Sequence, residues 1–456
     1  MDHSFDLIVL GAGPGGYVAA IRASQLGLKT AVIEKKHVGG VCLNIGCIPS
    51  KNLIRSASLL TEAKQLEAFG VHVDASQLDY AAVHAQSRKV AETLSKGVSF
   101  LLNKNNVTLV EAEGELVDAR TVKTSTGETL TAKNILIATG SSPRVIPGLE
   151  FDGEKVLSSD DILMANKLPG SICIIGGGAI GCEFAYVLRS FGVAVTLVEM
   201  TPHLLPYEDE EIAKALATSF KKKGISVHLE SKAVITAREP QVTVEIENAK
   251  GVKKAVTVDK VLAVVGRAPN TVGIGLENLG ITTERGFIPV NEHFETACPG
   301  VYAIGDVIPS PMLAHVASHE GEMAVEHIAG IAHEAKKTYV PNCVYCEPQV
   351  AGFGITSAQA ETAGAKVYSF PFRAIGKAVA IGKSEGMVKI LADGSGKILG
   401  AHIIGAEATE LIHELAIAAS NGVRMQDIAG TIHAHPTLSE AIKECCCGFE
   451  NRVIHL

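Results

Sequence analysis

A glycine-rich turn framed by two apolar strands and closed by an acidic residue occurs twice in this chain. No other feature restricts the fold as much. From Phe5 the run FDLIVL reads as a buried strand, and Gly11, Gly13, Pro14, Gly15 and Gly16 form a turn. An apolar helix pattern follows from Tyr17 to Leu26, and the strand TAVIE ends at Glu34. The second copy runs SICIIG, then Gly176, Gly178, Ala179, Ile180 and Gly181, a helix, and VTLVE ending at Glu199. Gly11 to Gly176 and Glu34 to Glu199 are each 165 residues apart, so glycines and acid repeat together. A single turn of this kind is weak evidence, because glycine-rich turns are common; the joint recurrence leaves little room for coincidence.

In each copy the first glycine permits the tight turn and the second lets backbone N–H groups approach a pyrophosphate. The third lets helix and strand pack closely, and the acid accepts from a ribose hydroxyl. Two dinucleotide sites are therefore expected. The second should take NAD rather than NADP. Glu199 suits a free 2′-hydroxyl and repels a 2′-phosphate, and Met200 to His203 supplies no arginine to neutralise one.

At 456 residues the chain is long enough for two to four domains, and 45 glycines suit closely packed strand-turn-helix units. A net charge of -8 offers no long-range attraction to nucleic acid or anionic lipid. Lys221 to Lys223 read as a solvated helix end. The N-terminal residues enter a strand at once, without the basic and apolar regions of a secretion signal, and no apolar run is long enough to span a membrane. A soluble, cytoplasmic protein is expected. Its ten cysteines should then be mostly reduced, with any oxidised pair catalytic rather than structural.

Directly after the first unit comes GGVCLNIGCIPSK, with Cys42, Cys47 and Lys51. On a regular helix, residues five apart point about 140° away from each other, so a bond between these cysteines needs a distorted turn. Gly46 and Pro49 are available for it. A helix starting after the turn, together with Lys51, favours a thiolate at Cys47. The alternatives are two buried cysteines or half of a metal site; no second Cys/His pair of zinc spacing lies nearby.

With these segments in place the chain resembles the pyridine nucleotide-disulfide oxidoreductases. The resemblance runs nearly end to end, through GAGPGGY at 11–17, the cysteine segment at 39–51, ATG at 138–140 and GGGAIGCEFA at 176–185. It continues through VGRAPN at 265–270, YAIGD at 302–306, PMLAH at 311–315 and HAHPTLSE at 433–440. It implies an α/β protein with two Rossmann-like domains, for FAD and NAD, and an α+β C-terminal dimerisation domain. The implied divisions are an FAD domain at 1–146, an NAD domain at 147–271, a central FAD-contacting segment at 272–338 and an interface domain at 339–456. FAD would be held by the first glycine turn, Glu34, Gly114, Thr139, Gly140, Asp306 and Met312, Leu313, Ala314 and His315, with Lys51 paired to Glu183 beside the flavin. Val234 and Gly266 would line the NAD site through their backbone.

The resemblance also implies roles. Cys42 would exchange with the substrate sulfur and Cys47 would face the flavin. His435, oriented by Glu440, would act as base and would come from the partner subunit of a homodimer. The implied branch oxidises protein-bound dihydrolipoamide for 2-oxoacid dehydrogenase or glycine cleavage complexes, whose lipoyl domains and acyltransferase core would be its partners. No metal is expected. Cys445, Cys446 and Cys447 depart from the pattern of this branch; mercuric reductases and some thioredoxin reductases relay electrons through terminal cysteine pairs, which makes them rivals. Two alternatives stay open: a reductase using Cys445 to Cys447 as relay thiols, and a docking subunit of a multienzyme complex. Glutathione reductase is disfavoured by the absent NADP arginine.

Overall fold

The structure, a computed structural model, describes residues 3–74, 78–332 and 338–456. The first repeated unit builds a parallel sheet. β1 (Ser4–Leu10) feeds α1 (Pro14–Gln25), which returns to β2 (Thr30–Glu34) alongside β1. Leu7, Ile8 and Val9 are fully buried, as expected of a parallel strand covered on both faces. The helix begins three residues before the apolar pattern suggests. Pro14 pre-sets the first turn, while Gly15 and Gly16 have no side chain through which periodicity could show.

α2 (Gly40–Ile45) and α3 (Cys47–Gln65) meet at Gly46, and α4 (Tyr80–Lys104) packs on both. β3 (Thr108–Glu111) then adds to β2, and β4 (Gly114–Asp118), β5 (Thr121–Thr124) and β6 (Thr129–Ile137) complete the order β3-β2-β1-β6-β5-β4.

β7 (Ser141–Pro143) leads out to the second unit. Here β8 (Val156–Leu157), α5 (Ser159–Met164), β9 (Ser171–Ile175), α6 (Ala179–Ser190), β10 (Ala194–Val198), α7 (Glu210–Lys222) and β11 (Ser226–His228) repeat the same winding. An antiparallel sheet of β12 (Ser231–Ala237), β13 (Val242–Asn248) and β14 (Lys253–Val258) precedes β15 (Lys260–Ala263), which closes the parallel order β11-β10-β9-β15-β8. The chain returns through β16 (Arg267–Pro269), which pairs with β7, so both crossings lie side by side. β17 (Val301–Ala303) rejoins the first sheet beside β6. α8 (Ala314–Ile328) lies on α1, with Gly15 and Gly321 at the crossing; a Cβ on Gly321 would sit 2.7 Å from the Gly15 carbonyl oxygen.

The last part is an antiparallel sheet of β18 (Asn342–Val344), β19 (Gln349–Gly354), β20 (Lys366–Pro371), β21 (Met387–Ala392) and β22 (Ile398–Gly405), ordered β18-β19-β22-β21-β20. The helices of this part are α9 (Ser357–Ala360), α10 (Gly376–Ala380), α11 (Ala408–Ser420), α12 (Met425–Gly430) and α13 (Glu440–Cys447). The protein is thus α/β, with two similarly wound nucleotide-type units and a C-terminal α+β unit. Among the described residues no helix is long and apolar enough to cross a membrane.

Candidate active site

The two glycine turns have matching geometry. Gly11 and Gly176 adopt positive φ and leave no room for a side chain: a Cβ would lie 2.3 Å from Ala138 O and 2.4 Å from Val264 O. At Gly16 and Gly181 a Cβ would lie 1.9 Å from the carbonyl of the first glycine, so helix and turn touch. At Gly13 and Gly178, by contrast, a Cβ would meet nothing, and α1 and α6 start there without a side-chain cap. Open space in front of uncapped helix N–H groups fits a pyrophosphate at both places. The acids repeat too. Glu34 Oε2 accepts from Ala12 N at 2.8 Å, and Glu199 Oε2 accepts from Gly177 N at 2.6 Å. No arginine is bonded to Glu199 among the described residues; its other oxygen takes Thr201 N and Oγ1 at 2.8 and 2.9 Å.

The cysteine segment is fastened to the first turn. Gly39 N donates to Ala12 O at 2.8 Å, and Gly40, at positive φ, lies so close to Gly13 that a Cβ would stand 2.6 Å from its Cα. Gly46 makes the distorted turn: a Cβ there would lie 2.9 Å from Val41 O and 3.2 Å from Cys42 Cα. Pro49 sits within the first turn of α3, where its missing N–H costs no intrahelical bond. The Cys42 and Cys47 thiols come within hydrogen-bonding reach of each other. Cys47 is held below the ordinary thiol range, first by the hydrogen bond from Cys42 and then by the Lys51 charge, against burial. Cys42 is pushed well above that range by the same bond and by burial.

Lys51 Nζ stands 3.0 Å from both carboxylate oxygens of Glu183 on α6 and 4.4 Å from the Tyr345 ring centre. Tyr345 N also donates to Glu183 at 3.1 Å. Burial works to lower the Lys51 pKa, but Glu183, Cys47 and Tyr345 together raise it above the ordinary value.

Around the ends of β6 and β17, Thr139 Oγ1 donates to Asn270 O at 2.7 Å and Gly140 O accepts from Asn270 N at 2.9 Å. Asp306 accepts from Ser141 Oγ, and Arg267 Nε is 4.0 Å away. Gly114 packs on Leu10 and Ile33, at the ends of β1 and β2. Met312 and Leu313 precede α8, Ala314 opens it uncapped, and His315 Nε2 reaches Pro341 O at 3.0 Å. Val234 lies on β12 and Gly266, at positive φ, just after β15. Four residues of this region carry no expectation from the sequence: Arg267, Ser141, Glu320, whose Oε2 accepts from Gly305 N at 2.7 Å, and Tyr345. Only Arg267 lay in a quoted segment.

His435 Nδ1 is 2.9 Å from Glu440 Oε1, whose other oxygen takes Thr437 N at 2.9 Å. Burial works to raise the Glu440 pKa, but the Thr437 N–H and His435 hold it below the ordinary carboxylate value. The imidazole is 75% exposed, and among the described residues no hydrogen bond or ion pair links it to the cysteine segment of its own chain. Cys445, Cys446 and Cys447 are buried at 1, 0 and 7% exposure in the C-terminal core, and burial raises all three thiols. A relay role for them is therefore unsupported. Gln349 is bonded to Thr409 on α11, and Cys346 is fully buried. The described residues hold no cluster of metal ligands.

Two nucleotide turns, a cysteine pair between them and a lysine-carboxylate pair beside it define a class: a two-cofactor disulfide oxidoreductase. Residues 5–321 match the family model of pyridine nucleotide-disulphide oxidoreductases and residues 340–446 match that family's dimerisation domain; the chain belongs to this family. It is an enzyme, and FAD and NAD are its cofactors. Among characterised relatives it is similar to the dihydrolipoyl dehydrogenase of Bacillus subtilis, 43% identical across the whole of both chains, and to that of Rhizobium etli, 42% identical over the same span. Among solved structures, LpdA of Mycobacterium tuberculosis superposes with a TM-score of 0.89 at 30% identity, covering 96% of this chain and 98% of that one. The HOCl-induced flavoprotein disulfide reductase RclA of Escherichia coli superposes at 0.85 and 26% identity, covering 97% and 99%.

Proposed function

We propose that this protein oxidises dihydrolipoamide carried on lipoyl domains, as the flavoprotein of a 2-oxoacid dehydrogenase or glycine cleavage complex, in the cytoplasm and as a homodimer. The observation that carries this reading is the asymmetric cysteine pair beside the Lys51–Glu183 ion pair, at the start of α3. In the oxidised enzyme, one substrate thiolate attacks Cys42 and breaks the Cys42–Cys47 bond, releasing Cys47 as the thiolate that Lys51 stabilises. The second substrate sulfur, deprotonated, displaces Cys42 and closes the substrate disulfide; the electron pair then resides on the enzyme cysteines. With FAD and NAD bound, the flavin would supply two-electron acceptance and the nicotinamide hydride acceptance, and Cys47, beside Lys51, would be the cysteine that hands the pair on.

His435 suits the deprotonation step, with Glu440 fixing its Nδ1 side and leaving Nε2 free to accept. Because this imidazole is exposed and unconnected to its own cysteines, it is read as serving the partner subunit's cysteine pair. FAD would lie on Gly11 to Gly16, Glu34, Lys51, Gly114, Thr139, Gly140, Asp306 and Met312 to His315. NAD would lie on Gly176 to Gly181, Glu199, Val234 and Gly266.

The test compares dihydrolipoamide, glutathione and mercuric ion as partners of the FAD-loaded dimer. Dihydrolipoamide should support NADH formation that Cys47→Ser abolishes. Turnover restricted to NADPH-driven reduction of another disulfide, or of mercuric ion, would overturn the assignment, and an FAD-loaded dimer without redox activity would favour a docking subunit.

A further inference from the structure

Glu199 is followed by a loop, residues 200–209, that lies directly on the second glycine turn. Leu205 N donates to Gly177 O at 2.9 Å, and Leu204 fills the space a Cβ on Gly177 would need. Leu205 holds a positive φ of 51°, a conformation a branched side chain adopts only when its surroundings impose it. The far end of the loop is gripped by the C-terminal sheet. Glu208 is bonded to His402 Nδ1, whose Nε2 reaches Ile355 O at 2.9 Å. Asp209 accepts from Lys389 Nζ at 2.6 Å and from Ser357 N at 2.8 Å. Lys389 also contacts Ser357 Oγ at 3.1 Å and Glu211 at 2.6 Å.

Lys389 and His402 are cross-strand partners on β21 and β22, so two neighbouring strands present an ammonium and an imidazole to two consecutive acids. The four side chains are buried, at 2, 2, 6 and 0% exposure for Lys389, His402, Glu208 and Asp209. On β19, opposite His402, stands Gly352, where a Cβ would lie 2.5 Å from the imidazole and 2.8 Å from Glu208.

Buried ion pairs are a poor means of adding stability, since apolar replacements of the same volume are often neutral or better, but they tolerate only one register. The register fixed here is that of the loop between Glu199 and α7. We propose that His402 and Lys389 are positioning residues for NAD: by clamping Glu208 and Asp209 they hold Leu204 and Leu205 against Gly177, and with them the shape of the turn and the aim of Glu199. The C-terminal unit, which carries His435 and Glu440, thereby also sets the affinity of the nucleotide site. The inference rests on NAD binding at the Gly176–Glu199 turn.

The test is calorimetric titration of NAD into the FAD-loaded dimer, with the rate of flavin bleaching by dihydrolipoamide as the second readout. His402→Gln should weaken NAD binding about tenfold, within the range that ion-paired and packed networks transmit between sites, while flavin bleaching stays within about twofold. Unchanged NAD affinity in a His402→Gln dimer that retains FAD overturns the proposal, as does an equal loss in both readouts, which would mark a merely structural role. Should His402→Gln fail to fold, Ser357→Ala, which removes the hydroxyl's contacts with Lys389 and Asp209 and leaves the Lys389–Asp209 and His402–Glu208 pairs, is expected to weaken NAD binding roughly threefold; no change overturns the proposal. Glu199→Gln separates the two levels. If it leaves NAD binding intact, the site itself is misplaced and both readings fall; if it weakens binding while His402→Gln does not, only the clamp falls.

Discussion

Replacing Lys51 by methionine isolates the charge contribution that, alongside the hydrogen bond from Cys42, holds the Cys47 thiol below its ordinary range. The lysine charge stands 3.0 Å from both Glu183 oxygens. At an effective dielectric constant of about 20, unit charges at that separation attract by roughly 5 kcal/mol before desolvation is subtracted. Cys47 is subject to both groups with opposite sign: Lys51 lowers its pKa and Glu183 raises it. Lys51→Met removes the stabilising charge and leaves the carboxylate, so the Cys47 pKa should rise by roughly 1 to 2 pH units, or about 1.4 to 2.7 kcal/mol. Glu183→Gln removes the opposing charge and frees Lys51, so it should fall by about half a unit. The assay is the alkylation rate of the reduced protein by iodoacetamide across pH, with the modified peptide identified by mass spectrometry. Only the thiolate reacts, so the midpoint of the rate reports the pKa. Cys42, whose thiol is raised by its bond to Cys47 and by burial, should be alkylated more slowly than Cys47. If both variants move the midpoint the same way, or neither moves it, the electrostatic reasoning about this site is wrong.

Further outcomes are specific to other parts of the molecule. Wild type should prefer NAD over NADP by at least about tenfold in KM, and Glu199→Ser should erode the preference, because the acid no longer opposes a 2′-phosphate. Glu440→Gln should lower kcat by about 10- to 100-fold with little change in the KM for NAD, measured by steady-state kinetics, since it acts only through His435. Cys445→Ala should leave disulfide chemistry unchanged and cost about 1 kcal/mol in denaturant unfolding, the signature of a core position. Burial works to raise the Asp209 carboxyl, but Lys389 and Ser357 hold it below the ordinary value. Its folded pKa is therefore depressed, and its stabilisation is complete above about pH 3.9 and lost as pH falls through the folded value. Thermal melts of wild type should consequently drop more steeply below about pH 4 than those of Asp209→Asn.

What could be read from the sequence was what spacing encodes directly. Gly11, Gly16 and Glu34 repeat at Gly176, Gly181 and Glu199 because the turn, the helix contact and the acid are all local to one strand-turn-helix, and local geometry leaves a local pattern. Lys51 was legible as a charge one helical turn beyond Cys47. Glu183 was not, since nothing near residue 183 announces a partner 132 residues away; it entered through the resemblance alone. Tyr345 and Ser141 had no signal at all, because one contributes a ring and an N–H from the remote connection between β18 and β19 and the other a single hydroxyl. Three consecutive cysteines looked reactive in one dimension, and the fold turns them into the packed face of α13. The clamp at His402 and Lys389 was invisible for a further reason: cross-strand register exists only once β21 and β22 are paired.

In the proposed reaction every electron pair passes through the Cys42–Cys47 disulfide. The most direct measurement adds a stoichiometric amount of dihydrolipoamide to the oxidised, FAD-loaded dimer without oxygen, alkylates all exposed thiols under denaturing conditions, and maps them by mass spectrometry before and after NAD is supplied. Cys42 and Cys47 should be blocked at the start, become labelled after dihydrolipoamide, and be blocked again once NAD is present and NADH has formed. NADH formation with Cys42 and Cys47 labelled throughout, or with the change falling on Cys445 to Cys447, would exclude this route.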